Sequence, residues 1–397
     1  MISFIQTENK LLLPFLQKVI GVADQKAMTI FGNVLLEQHE NGLRLSCIDD
    51  TMQISANIPQ LQGGDIAITT NAKKLLTILK SFNNDDNVNL KLADNHEKIF
   101  INCNKSRFQL QTLPPEDFPT LELEEDAEEE FSFSIPKRDF KHLLKQTQYA
   151  IAQNDIRYYL NGLHLDITSH KIVAVATNGH CLAYAAMLFE NELPTTCATI
   201  PKKAVTELIK LVNDSNDLIT ITINKSAVKF KFDDIILISK VIDGKYPEYK
   251  SVIPENFNIA FKVNRLELIK AINQSALVID KNSNGVQFSL TENNLQLLTQ
   301  NHDNEDCEIN IPIEYNGEPF TIGFNISYVL EKLNNTTDDE VILRFRRDVE
   351  LPGMISGYSY RNASESDLRI LPIEQDTFDE TLLIKDYEKY VVMPMRI

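Results

Sequence analysis

The chain has 397 residues, too many for one ordinary core, and 43% of them are hydrophobic, the share of a globular protein. Its formal net charge of −17 opposes phosphate binding unless the cations are gathered in one place. Five dispersed cysteines without a C-x-x-C pair argue against a disulfide framework or a zinc site, and no apolar run reaches the ~18 residues of a membrane span.

Glu8 and Lys10 precede a short apolar stretch and Pro14, which is a poor signal peptide, so a cytoplasmic protein is expected. The first elements are a strand around Ile5 and an amphipathic helix carrying Leu11, Leu12, Leu16, Val19 and Ile20. A strand over 43–49 ends on Asp49, and a second helix is predicted over 71–82. The acidic run 121–130 reads as a solvated linker, with an acidic partner-binding patch as the alternative. The alternating residues 131–135 then begin a half-buried strand.

From here the pattern repeats. Ile135, Phe140, Leu143, Leu144 and Ile151 repeat the first strand and helix, 172–178 repeats the strand ending on a polar residue, and 202–212 repeats the second helix. Alternating strands follow at 219–223 and 228–232. A third copy runs through Val263, Leu268, Ile269, Ile272 and Ile279, then the strand 295–301, then a helix over 325–334. Val263 lies 128 positions after Ile135, Asn178 lies 129 after Asp49, and Asn301 lies 123 after Asn178. Such a period is far above that of solenoids, so each copy is a domain. The expected fold is α+β, with three repeated domains at 1–130, 131–256 and 257–397, each two helices on antiparallel sheet.

The six predicted helices carry a net +11, which leaves −28 for the rest of the chain. If these helices face a common cavity, that cavity is positive and the exterior negative, which suits a polyanion held inside. The alternative is ordinary surface lysines paired locally. No base-reading motif is present, so any DNA contact goes to phosphates and is independent of sequence. Tyr158 and Tyr159, beside Arg157 and Asn154, could stack on bases or sit in a core.

The sequence has no P-loop, dinucleotide fingerprint, metalloprotease motif or nucleophile elbow, and no catalytic residue, metal or cofactor is expected. His180, after Asn178 and Gly179, reads as a turn residue. At the C-terminus, Val391, Val392, Met393, Pro394 and Met395 read either as a final buried strand or as the wall of an adaptable groove. Pro394 lacks a backbone donor and ends any strand there.

Five blocks in order, 157–162, 176–180, 244–249, 323–330 and 391–397, resemble the bacterial sliding clamp, the beta subunit of DNA polymerase III. The resemblance implies a non-catalytic processivity factor, a head-to-tail homodimeric ring that encircles and slides on duplex DNA. It also implies a cleft that receives short linear motifs from the polymerase alpha subunit, the clamp loader, other polymerases and repair proteins.

Carried over, the cleft comprises Leu160, Thr177, Gly179, His180, Leu182, Pro247, Val252, Asn325, Tyr328, Val391, Val392, Met393, Pro394, Met395 and Arg396. The DNA-binding set is Lys26, Lys141, Lys145, Asn154, Tyr158, Tyr159, Lys202 and Lys210. The dimer interface sets Lys105, Arg107, Phe108 and Leu110 against Leu277, Val278, Asp303 and Glu305 of the other chain. Cys181 and Ser251 stand at positions that are often basic in the family, and the stretch 346–389 is longer than usual. Two rivals remain: a peptide-binding scaffold of three domains that binds no DNA, which needs no basic helices, and a nuclease-like catalytic subunit, which needs clustered carboxylates.

Overall fold

A computed structural model describes residues 2–23, 29–39, 42–65, 67–123, 130–189, 192–279, 284–358 and 388–396. Among them one ten-element unit, βα-ββββ-α-βββ, occurs three times. The first copy holds β1 (Ile2–Glu8), α1 (Asn9–Val19), β2 (Asn33–His39), β3 (Gly42–Ile48), β4 (Met52–Ile58), β5 (Ile68–Asn71), α2 (Ala72–Lys80), β6 (Asn87–Leu92), β7 (Lys98–Cys103) and β8 (Ser106–Gln111). The second holds β9 (Phe131–Pro136), α3 (Lys137–Thr147), β10 (Gly162–Thr168), β11 (Lys171–Thr177), β12 (Cys181–Leu188), β13 (Thr196–Pro201), α4 (Lys202–Leu211), β14 (Leu218–Ile223), β15 (Ala227–Phe232) and β16 (Ile235–Lys240). The third holds β17 (Ile259–Asn264), α5 (Arg265–Ser275), β18 (Gly285–Thr291), β19 (Asn294–Gln300), β20 (Asp306–Pro312), β21 (Phe320–Asn325), α6 (Ile326–Asn334), β22 (Glu340–Phe345), β23 (Gly353–Tyr358) and β24 (Glu388–Val392).

The repeat is chemical as well as topological. Asp49, Asn178 and Asn301 each follow the third strand of their copy and fold the chain back with a side-chain oxygen. Asp49 accepts from Thr51 and Met52 N–H at 2.8 Å, Asn178 from His180 and Cys181 N–H at 2.9 and 3.0 Å, and Asn301 from Asp303 and Glu305 N–H at 3.0 and 2.9 Å. Three helices, α2, α5 and α6, open on an asparagine (Asn71, Asn264, Asn325) whose side chain accepts a first-turn N–H.

The first residue of the first helix is a latch in every copy. The backbone N–H groups of Asn9, Lys137 and Arg265 donate to Asp86, Asp217 and Asp339 at 2.9, 2.8 and 2.9 Å. The side chains of Asn9 and Arg265 reach the last turn of the second helix, whereas that of Lys137 reaches carboxylates beyond it. Asn9 donates to the Leu79 carbonyl at 2.9 Å, Arg265 donates to Asp338 and Leu333 carbonyls at 2.7 and 3.2 Å, and Lys137 pairs with Asp233 and Asp217 at 2.5 and 3.4 Å. The charge expected on the helices is corrected here. Between their observed ends the helices still sum to +11, but Lys137 is fully buried and Lys332 is 1% exposed, so neither contributes to a basic surface.

The chain forms two compact units, 1–141 with 193–243 and 142–192 with 244–397. In the first, β4 pairs antiparallel with β16, Ile54 opposite Leu237, so one sheet runs β5-β2-β3-β4-β16-β15-β14-β9 from the first copy into the second. A separate sheet runs β1-β6-β7-β8. In the second unit, β12 pairs with β24, Leu182 opposite Val391, and the sheet continues through β23, β22 and β17. A separate sheet runs β20-β19-β18-β21.

One splice is therefore used twice: the fourth strand of a copy pairs with the eighth strand of the next. The eighth strand of the first copy, β8, and the fourth strand of the third, β20, are left as sheet edges with largely exposed side chains.

Candidate functional site

The β12–β24 junction carries a groove. Val391, Leu182, Val173, Val175, Tyr184, Tyr246 and Tyr249 pack into one buried cluster that forms its floor and backing. Beyond Val392, Pro394 cannot donate to a ladder, so the strand stops and the chain runs over the surface. Two backbone bonds hold this tail: Met393 N–H to the His180 carbonyl at 2.9 Å, and Met395 N–H to the Gly323 carbonyl at 2.8 Å. Val391 and Val392 are 3% and 0% exposed, whereas Met393 and Met395 are 41% and 38% exposed. The C-terminal segment is thus a buried strand end at Val391 and Val392 followed by an exposed tail at Met393 and Met395.

The cavity measures about 210 Å³ and is lined by Arg157, Tyr159, Leu160, Thr177, Gly179, His180, Cys181, Leu182, Pro247, Glu248, Tyr249, Val252, Val391 and Met393. Gly179 has φ +88°, the left-handed backbone that favours glycine, and its Cα faces the Arg157 guanidinium. Arg157 is fixed by Asp155, with Nε–Oδ1 at 3.0 Å and Nη2–Oδ2 at 2.8 Å, and by the Asn178 carbonyl at 3.2 Å. Hydrogen bonding from Arg157 holds the Asp155 carboxyl down to about 2.

His180 stacks on Tyr328 with ring centroids 5.8 Å apart and planes 12° apart. Tyr328 in turn accepts the Tyr390 hydroxyl on its backbone carbonyl at 2.9 Å. Tyr249 donates its hydroxyl to Asp166 at 2.7 Å, and burial foremost pushes its pKa up. The site is an apolar trough with fixed polar walls.

Eight of the expected cleft residues, Leu160, Thr177, Gly179, His180, Leu182, Pro247, Val252 and Val391, line the cavity, and Met393 makes a ninth. Tyr328 adjoins through His180. Asn325 is the cap of α6 and spends its oxygen on Ser327 N–H. Val392 is core, Pro394 and Met395 flank the tail, and Arg396 points to Glu350 at 2.5 Å. The sequence reading missed Glu248 and Tyr249 as walls. Tyr159, expected at DNA with Tyr158, also lines the groove, and Tyr158, whose ring centroid lies 5.8 Å from it, is 56% exposed.

Of the residues expected at DNA, Lys26 lies outside the described residues. Lys141 pairs with Asp214 at 3.2 Å and Lys210 with Glu207 at 2.7 Å, Lys202 is half-buried, and Lys145 and Asn154 are exposed. Of the expected interface, Lys105, Arg107, Phe108 and Leu110 sit on or beside the open edge β8, with Arg107 4.5 Å over the Phe100 ring. Leu277 is 84% exposed and Val278 half-buried after α5, and Asp303 and Glu305 lie on the turn leading into the open edge β20. Among the described residues no helix is long and apolar enough to cross a membrane.

A thrice-repeated unit of two helices and two sheets, spliced edge to edge, with a trough at a splice, is the architecture of a DNA clamp. The models for the N-terminal, central and C-terminal domains of the DNA polymerase III beta subunit match residues 3–122, 134–248 and 250–364. The Proteus mirabilis beta sliding clamp is 33% identical over 86% of this chain and 92% of its own length, and that of Escherichia coli K12 is 31% identical over 82% and 88%. A crystal structure of the Pseudomonas aeruginosa sliding clamp bound to griselimycin superposes with a TM-score of 0.87 at 27% identity, covering 100% of both chains. The Caulobacter crescentus DNA polymerase sliding clamp gives a TM-score of 0.84 at 26% identity with the same coverage. The chain belongs to the bacterial sliding clamp family, the beta subunits of DNA polymerase III.

Proposed function

We propose that the chain is a processivity factor, a non-catalytic subunit of DNA polymerase III. Two copies close head to tail around duplex DNA, slide along it, and tether the polymerase alpha subunit, the clamp loader and repair proteins through the groove. The observation that carries this reading is the splice. The chain joins fourth strand to eighth strand twice and leaves one of each open, β20 and β8. A second copy supplies the missing partner for both of these strands, and two-fold closure pairs each β8 with the β20 of the other chain.

The exposed Leu277 and partly exposed Phe108 provide apolar contacts, and Lys105 and Arg107 oppose Asp303 and Glu305 in sign. Exposed lysines on the helices, among them Lys73, Lys74, Lys80, Lys145 and Lys270, supply positive charge for phosphates on an otherwise acidic chain. The function is topological: tethering raises the polymerase's effective concentration at the primer end, with no chemistry by the clamp.

We place the domain limits at 1–130, 131–256 and 257–397, in line with β9 starting at Phe131 and β17 at Ile259, and the site of action in the cytoplasm. The test is solution mass together with retention on circular against linearised DNA. A dimer that stays on circles and runs off linear ends fits. A monomer, or equal retention on both, sinks the proposal.

A further inference from the structure

The ionisable side chains on the groove wall are unevenly occupied. Arg157 is held by both oxygens of Asp155 and by the Asn178 carbonyl. His180 lies flat against Tyr328. Cys181 is 3% exposed, and burial pushes its thiol up to about 12, so it brings no charge. Close in sequence, Lys250 sits 5.6 Å over the Tyr249 ring and 3.8 Å from Asp166, and Ser251 donates its hydroxyl to the Glu248 carbonyl at 2.8 Å. Glu248 is the exception: its side chain is exposed on the wall and makes no ion pair with any described residue.

We propose that Glu248 makes this groove select peptides whose apolar anchors are flanked by lysine or arginine over peptides flanked by aspartate or glutamate. The inference rests on the groove being the peptide site. The apolar trough supplies most of the affinity, and the rim charge supplies discrimination. A carboxylate at a wet rim acts through high dielectric, so the preference is a few-fold, strongest at low salt. The net charge of −17 pulls in the same direction at long range, so the test has to change Glu248 alone.

Three labelled peptides sharing a Leu and Phe core, with Lys, Ala or Glu on both flanks, are titrated against the full chain by fluorescence polarisation at about 50 mM and about 300 mM salt. The Lys-flanked peptide should bind roughly three- to tenfold more tightly than the Glu-flanked one at low salt, with the ratio shrinking at high salt. In Glu248→Lys, an exposed change that leaves the core alone, the ratio should invert. Equal affinities in the unmodified chain overturn the inference, and so does an unchanged ratio in the variant, which would assign the preference to net charge. If none of the three peptides binds, the groove assignment itself falls and takes the inference with it.

Discussion

Replacing Leu277 with aspartate tests ring closure at one side chain. Leu277 follows α5 and is 84% exposed, so the change leaves the folded core intact. Burying a leucine against a partner contributes about 1.5–3 kcal/mol, and little of that is already realised within the chain. A two-fold ring buries this leucine twice, so its removal amounts to about 3–6 kcal/mol per dimer. At 1.4 kcal/mol per decade, the dissociation constant should rise by about 10²- to 10⁴-fold. Sedimentation velocity over a dilution series reads this as a fall from twice 45.2 kDa to the single-chain mass. Leu218→Asp is the comparison, since Leu218 is also an exposed leucine (59%) but lies on β14. A Leu277→Asp protein that sediments like the unmodified chain removes this residue from the interface. Equal dissociation of both variants would mean that added charge, and not the missing leucine, splits the dimer.

Changing Lys141, Lys145, Lys202 and Lys210 to glutamate should weaken retention on circular DNA regardless of base sequence. The slope of log affinity against log salt should shrink by about 0.9 for each phosphate no longer neutralised, and normal retention would show that these lysines do not face DNA. Deleting 393–397 removes the two backbone bonds of the tail but leaves β24 paired through Val392, so peptide binding should vanish while thermal stability and dimer mass persist. Unfolding of that truncation would make the tail core, and unchanged peptide affinity would refute the groove.

Acid titration addresses Asp49, whose carboxylate bonds Lys203. Burial alone raises its pKa, but Lys203 and the Thr51 and Met52 amides outweigh this and leave it lowered. A lowered folded value gives stability that is present above the unfolded value of about 3.9 and is lost as pH falls through the folded one. Asp49→Asn, which can keep the turn as Asn178 does, should flatten the loss of unfolding free energy below about pH 4 in urea melts. An acid limb as steep as that of the unmodified chain would sink the assignment.

The repeat was legible because its signals are local. Leu12, Leu16 and Val19 are spaced for one helix face, and all three are fully buried. Asp49, Asn178 and Asn301 marked strand ends because a short polar side chain turns the backbone there. Charge counted along a helix cannot show that Lys137 sits inside between Asp217 and Asp233, since those partners are about 80 and 96 positions away. Tyr158 and Tyr159 do form a pair, with ring centroids 5.8 Å apart, but sequence spacing does not show that Tyr159 lines the groove while Tyr158 stays exposed. Glu248 and Tyr249 were missed because nothing in their spacing shows that the turn holding them packs against β12 and β24. Lys26, residues 124–129 of the acidic run and residues 359–387 of the long C-terminal stretch lie outside the described residues.

The splice has a practical result for anyone dissecting the chain. Sequence repeats invite cutting at 130 and 256, yet such cuts pass through both continuous sheets, β4 from β16 and β12 from β24. A central fragment on its own would present two long hydrophobic strand edges, one ending in Ile235, Leu237 and Ile238 and the other in Leu182, Ala183 and Ala185. Unprotected edges of this kind recruit one another into insoluble ladders. Soluble pieces for spectroscopy would come from adding lysines or prolines to those edges, not from moving the cut sites along the linker.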